Sequence, residues 1–308
     1  MKEKSARNKT IDISIEDGQQ YLNKVIEEKS LKKVTNLVGL ENKTVLGDSI
    51  SFMQKLPEKS VDLIIADPPY NLYKDFHGNK FNEENFEEYA IYTETWLKEC
   101  KRILKDNGSI YVCCDWKSSL VIGNVISKNL KLRNRITWER EKGRGAKTNW
   151  KNSMEDIFFA TKSDEYTFNL DAVKVRKKVI APYKENGKPK DWEETKEGKF
   201  RNTCPSNFWD DISVPYWSMP ENTAHPTQKP EKLLAKLILA SSNSGDIVFD
   251  PFLGSGSTSV TAKKLGRKYL GVEQNPRYVI WTEKRLEMAE TDKSIQGFEN
   301  GVFQKRNT

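Results

Sequence analysis

The sequence predicts an α/β fold built around a mostly parallel sheet, with an irregular region inserted in it. Short apolar runs alternate with helical patterns over residues 43–140 and again over 223–290, and such alternation is typical of parallel strands joined by crossover helices. The alternation breaks down between about 141 and 222, where short aromatic runs are mixed with Lys, Asn, Gly and Pro. A chain of 308 residues can hold about two domains, which leaves room for such an insert.

The first strands of the sheet are predicted near residues 44 and 61. One helix is predicted before them, from the spacing of Tyr21, Leu22, Val25 and Ile26. The strand over 44–47 ends at Asp48, and the run over 61–66 is apolar and β-branched enough to be buried on both faces of a parallel sheet. Two prolines then stop this second strand, because neither ring can donate to the ladder.

The tetrapeptide Asp67-Pro68-Pro69-Tyr70 follows this second strand. Open α/β sheets bind their ligands at the carboxyl ends of the strands, where these residues lie. The Asp67 carboxylate and the Pro68 carbonyl are both acceptors, so together they can hold the two N–H donors of an exocyclic amine. Tyr70 offers a flat face on which a ring can stack. The four residues therefore indicate a site for a planar amine, and a plain Asp-Pro-Pro turn is the alternative.

The middle of the chain continues the alternation. Apolar spacing predicts a helix over 86–105 that ends at Asn107-Gly108, followed by a strand over 109–114, a helix over 117–129 and a strand over 132–139.

A second motif, Asp250-Pro251-Phe252-Leu253-Gly254-Ser255-Gly256, closes a strand over 245–250 and opens a helix that runs to about residue 265. Glycines let the backbone approach a ligand closely and leave the N–H groups of a helix start pointing at it. The next strand, over 268–272, leads into Glu273, 17 residues past Gly256, where an acidic residue commonly holds a ribose diol. A dinucleotide site is the rival interpretation. Ser259 at the third glycine position favours a small adenosyl ligand over a pyrophosphate.

The segment His225-Pro226-Thr227-Gln228-Lys229-Pro230 is predicted to begin a helix. Pro226 suits a first helical turn, because its missing N–H would be unpaired there. The helix continues with an apolar stripe formed by Leu233, Leu234, Leu237 and Ile238. A Lys so close to a helix start is unfavourable for the helix dipole, so Lys229 indicates an anionic partner. A capped helix with a solvated Lys229 is the alternative.

With these three motifs, the chain resembles the β-class amino-methyltransferases that act on DNA. The resemblance covers about residues 43–140 and 223–290 and rests on motif order: the Asp-Pro-Pro-Tyr turn first, then the six residues from His225 to Pro230, then the Phe-x-Gly-x-Gly loop. Release-factor glutamine methyltransferases and ribosomal-RNA amine methyltransferases place the glycine loop first and usually carry Asn-Pro-Pro-Tyr. The resemblance implies a permuted Rossmann-like methyltransferase fold with an inserted target-recognition region.

The resemblance also implies S-adenosyl-L-methionine as the cofactor, and no metal. It places Asp48 near the adenine of the cofactor, and Thr227 and Lys229 near its methionine carboxylate. The other residues expected to bind the cofactor are Asp67, His225, Asp250, Phe252, Gly254, Ser255, Gly256, Thr258 and Glu273. The expected catalytic residues are Asp67, Pro68, Pro69 and Tyr70.

The expected DNA contacts lie mainly in and beside the insert. Residues 140–151 hold five basic residues and one acid, and residues 174–190 hold seven and one, so both clusters can follow phosphates while interleaved aromatics reach base edges. The polar loop over 71–85 follows the catalytic prolines and can support an extruded base. The expected contacts are Lys74, His77, Lys80, Trp138, Arg140, Lys142, Arg144, Lys147, Lys174, Arg176, Lys177 and Lys178.

These DNA contacts have plain structural alternatives. The basic run over 174–178 is also consistent with the solvated face of a helix or strand. Trp138, which the resemblance places in the base pocket, is also consistent with a core residue. The loop over 71–85 is also consistent with an ordinary surface loop.

Composition agrees with a DNA partner. The net charge of +7 favours a polyanion. No apolar run approaches the ~18 residues of a membrane span, and the first ten residues lack the apolar core of a signal peptide, so a cytoplasmic protein without a membrane partner is expected. The four cysteines have no metal-site spacing. Cys113 and Cys114 are adjacent in a predicted strand and should face opposite ways, as buried thiols of a reducing compartment.

The chain is therefore expected to comprise an N-terminal extension of unknown role (1–40), a catalytic half (41–140), a target-recognition insert (141–222), a cofactor half (223–290) and a tail (291–308). The expected function is site-specific transfer of a methyl group from S-adenosylmethionine to adenine N6 in double-stranded DNA by base flipping. A cognate restriction endonuclease is a candidate partner, and the oligomeric state stays open.

Two alternatives to this function remain. Cytosine N4 methylation has an equally planar acceptor, but cytosine enzymes of this type more often carry Ser where this chain has Asp67. A catalytically idle DNA-binding relative is the second alternative, and the intact motifs on both sides of the pocket argue against it.

Overall fold

The computed structural model describes residues 5–71, 74–76, 79–81, 85–140, 148–180 and 183–305. For residues 74–76, 79–81 and 189 the structure describes the backbone alone.

The described residues form a three-layer α/β arrangement with an additional five-stranded small sheet and two two-stranded hairpins. The α-helices are α1 (Gln19–Leu22), α2 (Ser49–Lys55), α3 (Phe86–Ile103), α4 (Ser119–Asn129), α5 (Glu231–Ser241), α6 (Ser257–Lys264) and α7 (Pro276–Thr291). The strands are β1 (Ile26–Glu27), β2 (Lys43–Leu46), β3 (Val61–Ala66), β4 (Lys74–Phe76), β5 (Asn79–Phe81), β6 (Leu104–Cys114), β7 (Lys131–Glu139), β8 (Met154–Thr161), β9 (Val175–Lys178), β10 (Lys184–Glu185), β11 (Lys188–Pro189), β12 (Glu193–Thr195), β13 (Gly198–Thr203), β14 (Phe208–Trp209), β15 (Ile247–Asp250), β16 (Lys268–Glu273), β17 (Phe298–Glu299) and β18 (Val302–Gln304). The two hairpins are β4-β5 and β10-β11.

The main sheet has nine strands in the order β1-β2-β16-β15-β3-β6-β8-β7-β14. Neighbouring strands are parallel except that β8 runs antiparallel to both β6 and β7. This confirms the predicted mostly parallel sheet.

Strands β3 and β15 are far apart in the sequence but adjacent in the sheet. Val248 lies opposite Leu63, and Phe249 lies opposite Ile64, in a parallel register. The two predicted motifs follow these strands, so both begin at the same carboxyl edge, which is where such sheets bind ligands.

Two hydrophobic layers cover the faces of the sheet. Helices α2, α3 and α4 pack on one face through residues such as Phe52, Trp96 and Ile122. Helices α5, α6 and α7 pack on the other through Leu233, Val260 and Leu286. Successive side chains alternate between the faces, as strand geometry requires. Cys114 accordingly belongs to the first layer and Cys113 to the second, both fully buried, as predicted.

Two predicted boundaries are wrong. The helix predicted over 86–105 ends at Ile103, and β6 begins at once with Leu104, opposite Val61. The register then shifts, so that Asn107-Gly108 lies in an irregular part of β6 rather than after a helix. A Cβ at Gly108 would lie 2.9 Å from the carbonyl oxygen of Asp62, so this glycine permits close contact with β3.

The helix predicted to begin at Pro226 begins at Glu231, with Pro230 as its N-cap. The reason is that a residue before proline is disfavoured in the α conformation, which keeps Lys229 out of the helix. The Glu221 carboxylate accepts the Glu231 N–H at 2.8 Å and so caps the helix instead.

The N-terminal extension packs on α7 and extends the main sheet. The predicted helix around Tyr21 is limited to α1, and Ile26 lies in β1, paired with Val45 of β2. Tyr21 packs with Tyr278 and Trp281 of α7, and the Trp281 indole donates to the Ile13 carbonyl at 3.0 Å.

The small sheet joins the insert to the end of the chain. Its order is β12-β13-β9-β18-β17, and β18 pairs in parallel with β9, with Phe303 opposite Val175. Residues 298–304 are therefore part of the insert's sheet and do not form a separate tail. Within the described ranges, no helix is both long and apolar enough to cross a bilayer.

Candidate active site

A cleft of about 1060 Å³, its open mouth included, lies at the carboxyl edge of β3, β15 and β16. The structure brings most of the predicted catalytic and cofactor residues together in its lining: Asp67, Pro68, Pro69, Tyr70, His225, Thr227, Lys229, Asp250, Phe252, Gly254, Ser255, Thr258 and Glu273. It also adds Tyr278 and Cys113, which the sequence did not identify as site residues.

The turn after β3 is held by side chains from the neighbouring helices. The Tyr89 hydroxyl of α3 donates to the Pro69 carbonyl at 3.0 Å. The Ser118 hydroxyl, just before α4, accepts the Asn71 N–H at 3.1 Å. These two contacts fix the backbone on either side of Tyr70, and so they set the direction in which Asp67 and Pro68 face the cleft.

Asp67 forms an ion pair with Lys229, across 162 positions of the chain. The ammonium lies 2.5 Å from Asp67 Oδ2 and 3.1 Å from the Tyr70 hydroxyl oxygen, while that hydroxyl donates to Asp67 Oδ1 at 2.8 Å. The anionic partner predicted for Lys229 is thus present, and it is the Asp67 carboxylate. Burial acts to lower the pKa of Lys229, but the Asp67 and Glu155 carboxylates beside it prevail and raise the pKa.

Glu273 holds the glycine loop from the end of the next strand. Its two carboxylate oxygens accept the N–H groups of Gly254 and Asn275, each at 2.8 Å. Asp250 similarly accepts the Phe252 N–H at 2.9 Å. Burial raises the pKa of Glu273 and that of Asp250 to about 7 in each case, against these hydrogen bonds. The cleft therefore contains two carboxyl groups that ionise near neutrality.

The two glycines of the loop are required by backbone geometry. Gly254 and Gly256 have φ of +55° and +81°, in the left-handed region that favours glycine. A Cβ at Gly256 would lie 2.5 Å from Thr282 Cγ2 of α7. Gly256 thus allows α6 to begin close against α7. It does not line the cleft itself.

Arg285 of α7 supports this loop from behind, and sequence reasoning missed it. Its guanidinium donates to the Ser255 carbonyl at 2.7 Å, to the Ser257 hydroxyl at 2.9 Å and to the Glu231 carboxylate at 2.9 Å. Arg285 is 2% exposed. Its position ten residues into a helix carries no motif, so only the three-dimensional arrangement identifies it.

His225 and Thr227 line the cleft in a turn before α5. His225 Nδ1 accepts the Thr227 N–H at 3.3 Å, and the imidazole packs edge-on against Tyr278, with 4.5 Å between ring centroids. A Cβ at Gly254 would lie 3.1 Å from His225 Nε2. His225 is therefore a packing residue between the loop and α7.

Three predicted site residues have other roles in this structure. Asp48 is the N-cap of α2, accepting the Ser51 N–H at 2.8 Å, and it is its neighbours Gly47 and Ser49 that line the cleft. Trp138 is 1% exposed, and its indole donates to the Ile212 carbonyl at 2.9 Å, so it is a core residue. Arg140 is half-buried and pairs with Glu155, so its charge is already neutralised and is not available to a DNA phosphate.

Several predicted DNA contacts lie outside the described residues. These are His77, Lys142, Arg144 and Lys147, and the side chains of Lys74 and Lys80.

The basic run in the insert lies on β9 and immediately before it. Lys174 pairs with Asp171 at 2.7 Å. Arg176 pairs with Glu193 at 2.5 Å and stacks over Phe200 at 4.5 Å. Lys177 and Lys178 are exposed, and no carboxylate in the described part of the chain forms an ion pair with either. These two lysines are the members of the run whose charge is available to a partner.

A family model and two curated relatives indicate the same family. A family model described as DNA methylase matches residues 61–284. The DNA adenine methyltransferase YhdJ of Escherichia coli (strain K12) is 38% identical over 261 residues, covering 82% of this chain and 85% of the relative. The Type II methyltransferase M.HpaI of Haemophilus parainfluenzae is 34% identical over 264 residues, covering 85% and 77%.

Solved structures show the same fold at lower identity. The cytosine-N4-specific PvuII DNA methyltransferase superposes with a TM-score of 0.60 at 17% identity, covering 83% of this chain and 88% of that one. A putative DNA modification methylase of Thermus thermophilus, complexed with S-adenosyl-L-methionine, gives 0.56 at 21% identity, covering 86% and 98%. The matched residues 61–284 run from the strand before Asp67 past the glycine loop and Glu273. All of the cleft lining except Gly47 and Ser49 therefore lies within the match, and the chain belongs to the DNA methylase family.

Proposed function

We propose that this protein transfers a methyl group from S-adenosyl-L-methionine to the N6 amine of adenine in double-stranded DNA. One observation carries the proposal: the pairing of β3 with β15 places the Asp67 turn and the glycine loop on the same cleft. An acceptor pair for an amine and a loop for an adenosyl ligand thus face one another. The order of the motifs along the chain supports membership of the β class.

The cleft suits this cofactor in shape and charge. The Gly254 loop, the carboxylates of Asp250 and Glu273 and the aromatic ring of Tyr278 surround one part of it, and carboxylates near a sulfonium stabilise its positive charge. The Lys229 ammonium is within the same cleft, and a methionine carboxylate bound there would replace one of its three acceptors on Asp67, Tyr70 and Glu155. When bound, S-adenosylmethionine supplies an electrophilic methyl group on sulfur.

Asp67 and the Pro68 carbonyl are proposed to hold the target amine. Each is an acceptor, so each takes one N–H, and the nitrogen lone pair is directed away from the ring toward the cofactor side of the cleft. Acceptors at this position would repel a carbonyl oxygen, which disfavours thymine O4 and guanine O6. The proton released after transfer passes to Asp67 or to water. Holding two reactants in this geometry supplies much of the rate.

The insert is proposed to dock DNA on the cleft side of the molecule. Before β9, the Asn169 N–H donates to the Ala240 carbonyl near the C-terminal end of α5. Farther along, Arg176 of β9 lies opposite Gln304 of β18. The Gln304 carbonyl accepts from Lys232 in the first turn of α5. Strand β9 therefore runs back along α5 toward the Lys229 end. This direction supports the proposal that Lys177 and Lys178 lie on the side of the molecule that carries the Lys229 end of α5.

The base must leave the duplex to reach Asp67, at a cost of about a few kcal/mol. Tyr70 is proposed to stack on the extruded ring. Its side chain lines the cleft and is 9% exposed.

A DNA substrate implies that the protein acts in the cytoplasm. A restriction endonuclease with the same site is a proposed partner, since M.HpaI is named as a Type II methyltransferase.

Product analysis tests the proposal. The purified protein is incubated with unmethylated bacterial DNA and S-adenosylmethionine carrying a labelled methyl group, and the digested nucleosides are separated by mass spectrometry. Labelled N6-methyl-2′-deoxyadenosine is the expected product. Labelled N4-methyl-2′-deoxycytidine would support the rival reaction, which the fold permits because the PvuII enzyme is cytosine-N4-specific. No labelled nucleoside would support an idle relative.

A further inference from the structure

Glu155 is a buried carboxylate beside the catalytic turn that no motif identified. It lies on β8, opposite Trp138 of β7, and is 3% exposed. Its Oε2 lies 3.3 Å from the Lys229 ammonium and 3.4 Å from the Tyr70 hydroxyl. Its other oxygen pairs with Arg140. Glu155 thus contacts two of the groups that also contact Asp67.

The charges in this cluster balance in pairs. An ammonium group has three donors, and Lys229 has three acceptors near it, on Asp67, Tyr70 and Glu155. Arg140 neutralises the second carboxylate. If Glu155 were uncharged, Lys229 would be left with Asp67 as its one anionic partner in this cluster. The ammonium would then occupy the Asp67 oxygens more fully, and those oxygens are needed for the amine.

We propose that Glu155 is a positioning residue that shares Lys229 with Asp67 and so keeps Asp67 available as an acceptor for the target amine. The proposal rests on the proposed function, because it concerns the same amine site. Glu155 is not expected to touch the base or the cofactor. It acts through the ammonium of Lys229 and the hydroxyl of Tyr70.

The adjacent residue on β8 shows that burial alone does not explain Glu155. Asp156 is fully buried as well, but it pairs with Arg135 at 2.6 Å and accepts from the Thr137 hydroxyl at 2.8 Å. Successive strand residues face opposite ways, and within the described residues Asp156 forms no hydrogen bond or ion pair with Asp67, Tyr70 or Lys229. Asp156 therefore provides a control of the same charge, burial and strand.

The test compares Glu155→Gln with Asp156→Asn in the full-length protein, using steady-state transfer to DNA, calorimetric affinity for S-adenosylmethionine and thermal unfolding. Glu155→Gln is expected to lower kcat by about 10- to 100-fold, as misplaced catalytic groups do, with a much smaller change in cofactor affinity. Asp156→Asn is expected to lower the unfolding temperature and leave kcat near native.

A double variant distinguishes action through Lys229 from general damage. If Glu155 acts through Lys229, adding Glu155→Gln to Lys229→Gln should have little further effect on kcat, because residues in one network are not additive. Additive losses, or a native kcat in Glu155→Gln, would overturn the inference. Absence of methylated DNA with the native protein would instead overturn the proposed function, so the two failures are distinct.

Discussion

At the scale of single residues, Asp67 is held by two contacts of different kinds. The Tyr70 hydroxyl donates to one oxygen and the Lys229 ammonium to the other. Both donors belong to the cleft, so the carboxylate is fixed in direction before any substrate arrives. In the proposed reaction, an amine that binds Asp67 shares these oxygens, so the strength of the Lys229 contact is expected to affect the rate.

Replacing Asp67 by Ala removes one of the two proposed acceptors for the amine. Transfer should fall by about 10²–10³ in kcat, as when a positioned polar group is lost from a reacting centre. The fold and most of the cofactor affinity should persist, since Lys229 keeps Glu155 as an anionic partner. Steady-state kinetics and calorimetry measure the two effects.

Asp62→Ala is a matched control for this prediction. Asp62 lies on the same strand, β3, and also pairs with a lysine, Lys105, at 2.7 Å, but it does not line the cleft. Its loss should reduce stability and leave kcat near native. Equal kcat values for the two variants would refute the role of Asp67.

The pKa of Glu273 and that of Asp250, each raised to about 7 by burial, predict a pH dependence of cofactor binding. The ionised form attracts a sulfonium and accepts hydrogen bonds, so binding should tighten as pH rises through 7. For one group with this pKa, the dissociation constant should fall about tenfold from about pH 6 to about pH 8. Calorimetric titration of the native protein, Glu273→Gln and Asp250→Asn identifies the group, because the responsible variant should lose the dependence. A flat native profile would contradict the prediction.

At the scale of elements, the predicted strand ends were most accurate where a strand is followed directly by a motif. The runs before Asp67 and Asp250 are apolar, short and followed by proline, so both strand ends could be located to within a residue. The start of α5 was misplaced, although Pro230 after Lys229 contains the signal that corrects it. The strand at Leu104 could not be predicted, because its pairing with Val61 overrides a sequence that continues a helical pattern.

Gly256 allows the close approach of α6 and α7. Comparing its replacement with that of Gly301 should separate the cost of a positive φ from the cost of a steric clash. Gly301 has a similar φ of +77° but open space around its Cβ position, so Gly301→Ala should lower the free energy of unfolding by about 1–2 kcal/mol. Gly256→Ala adds a clash with Thr282 and should cost about 1–3 kcal/mol more. It should also weaken cofactor binding, because the displaced helix start carries the loop.

Denaturant unfolding and calorimetry of both variants test this. Equal losses of stability, with unchanged cofactor affinity for Gly256→Ala, would show that the loop adapts and that its geometry is not set by α7.

At the scale of the whole molecule, the order of the sheet explains why the motif order along the chain does not matter for the site. Strand β15 inserts between β16 and β3, so a late segment completes a cleft that an early one began. The insert and the chain end also meet, through β9 and β18. The pairing of β9 with β18 could not be predicted from the sequence, because both strands are short and neither leads into a motif.

The insert's basic strand gives the last prediction, which concerns DNA docking. Lys177 and Lys178 are exposed, whereas Lys174 and Arg176 are engaged by Asp171 and Glu193. If the two exposed lysines contact phosphates, Lys177→Gln/Lys178→Gln should weaken binding to all duplexes alike and flatten the slope of log affinity against log salt by about 0.9 per contact. The matched pair Lys174→Gln/Arg176→Gln should change the slope less. Cofactor affinity should be unchanged in both, because the cleft is built from other segments. Fluorescence anisotropy across a salt series measures the slopes, and an unaltered slope in the first variant would place DNA against residues 140–151 or 71–85 instead.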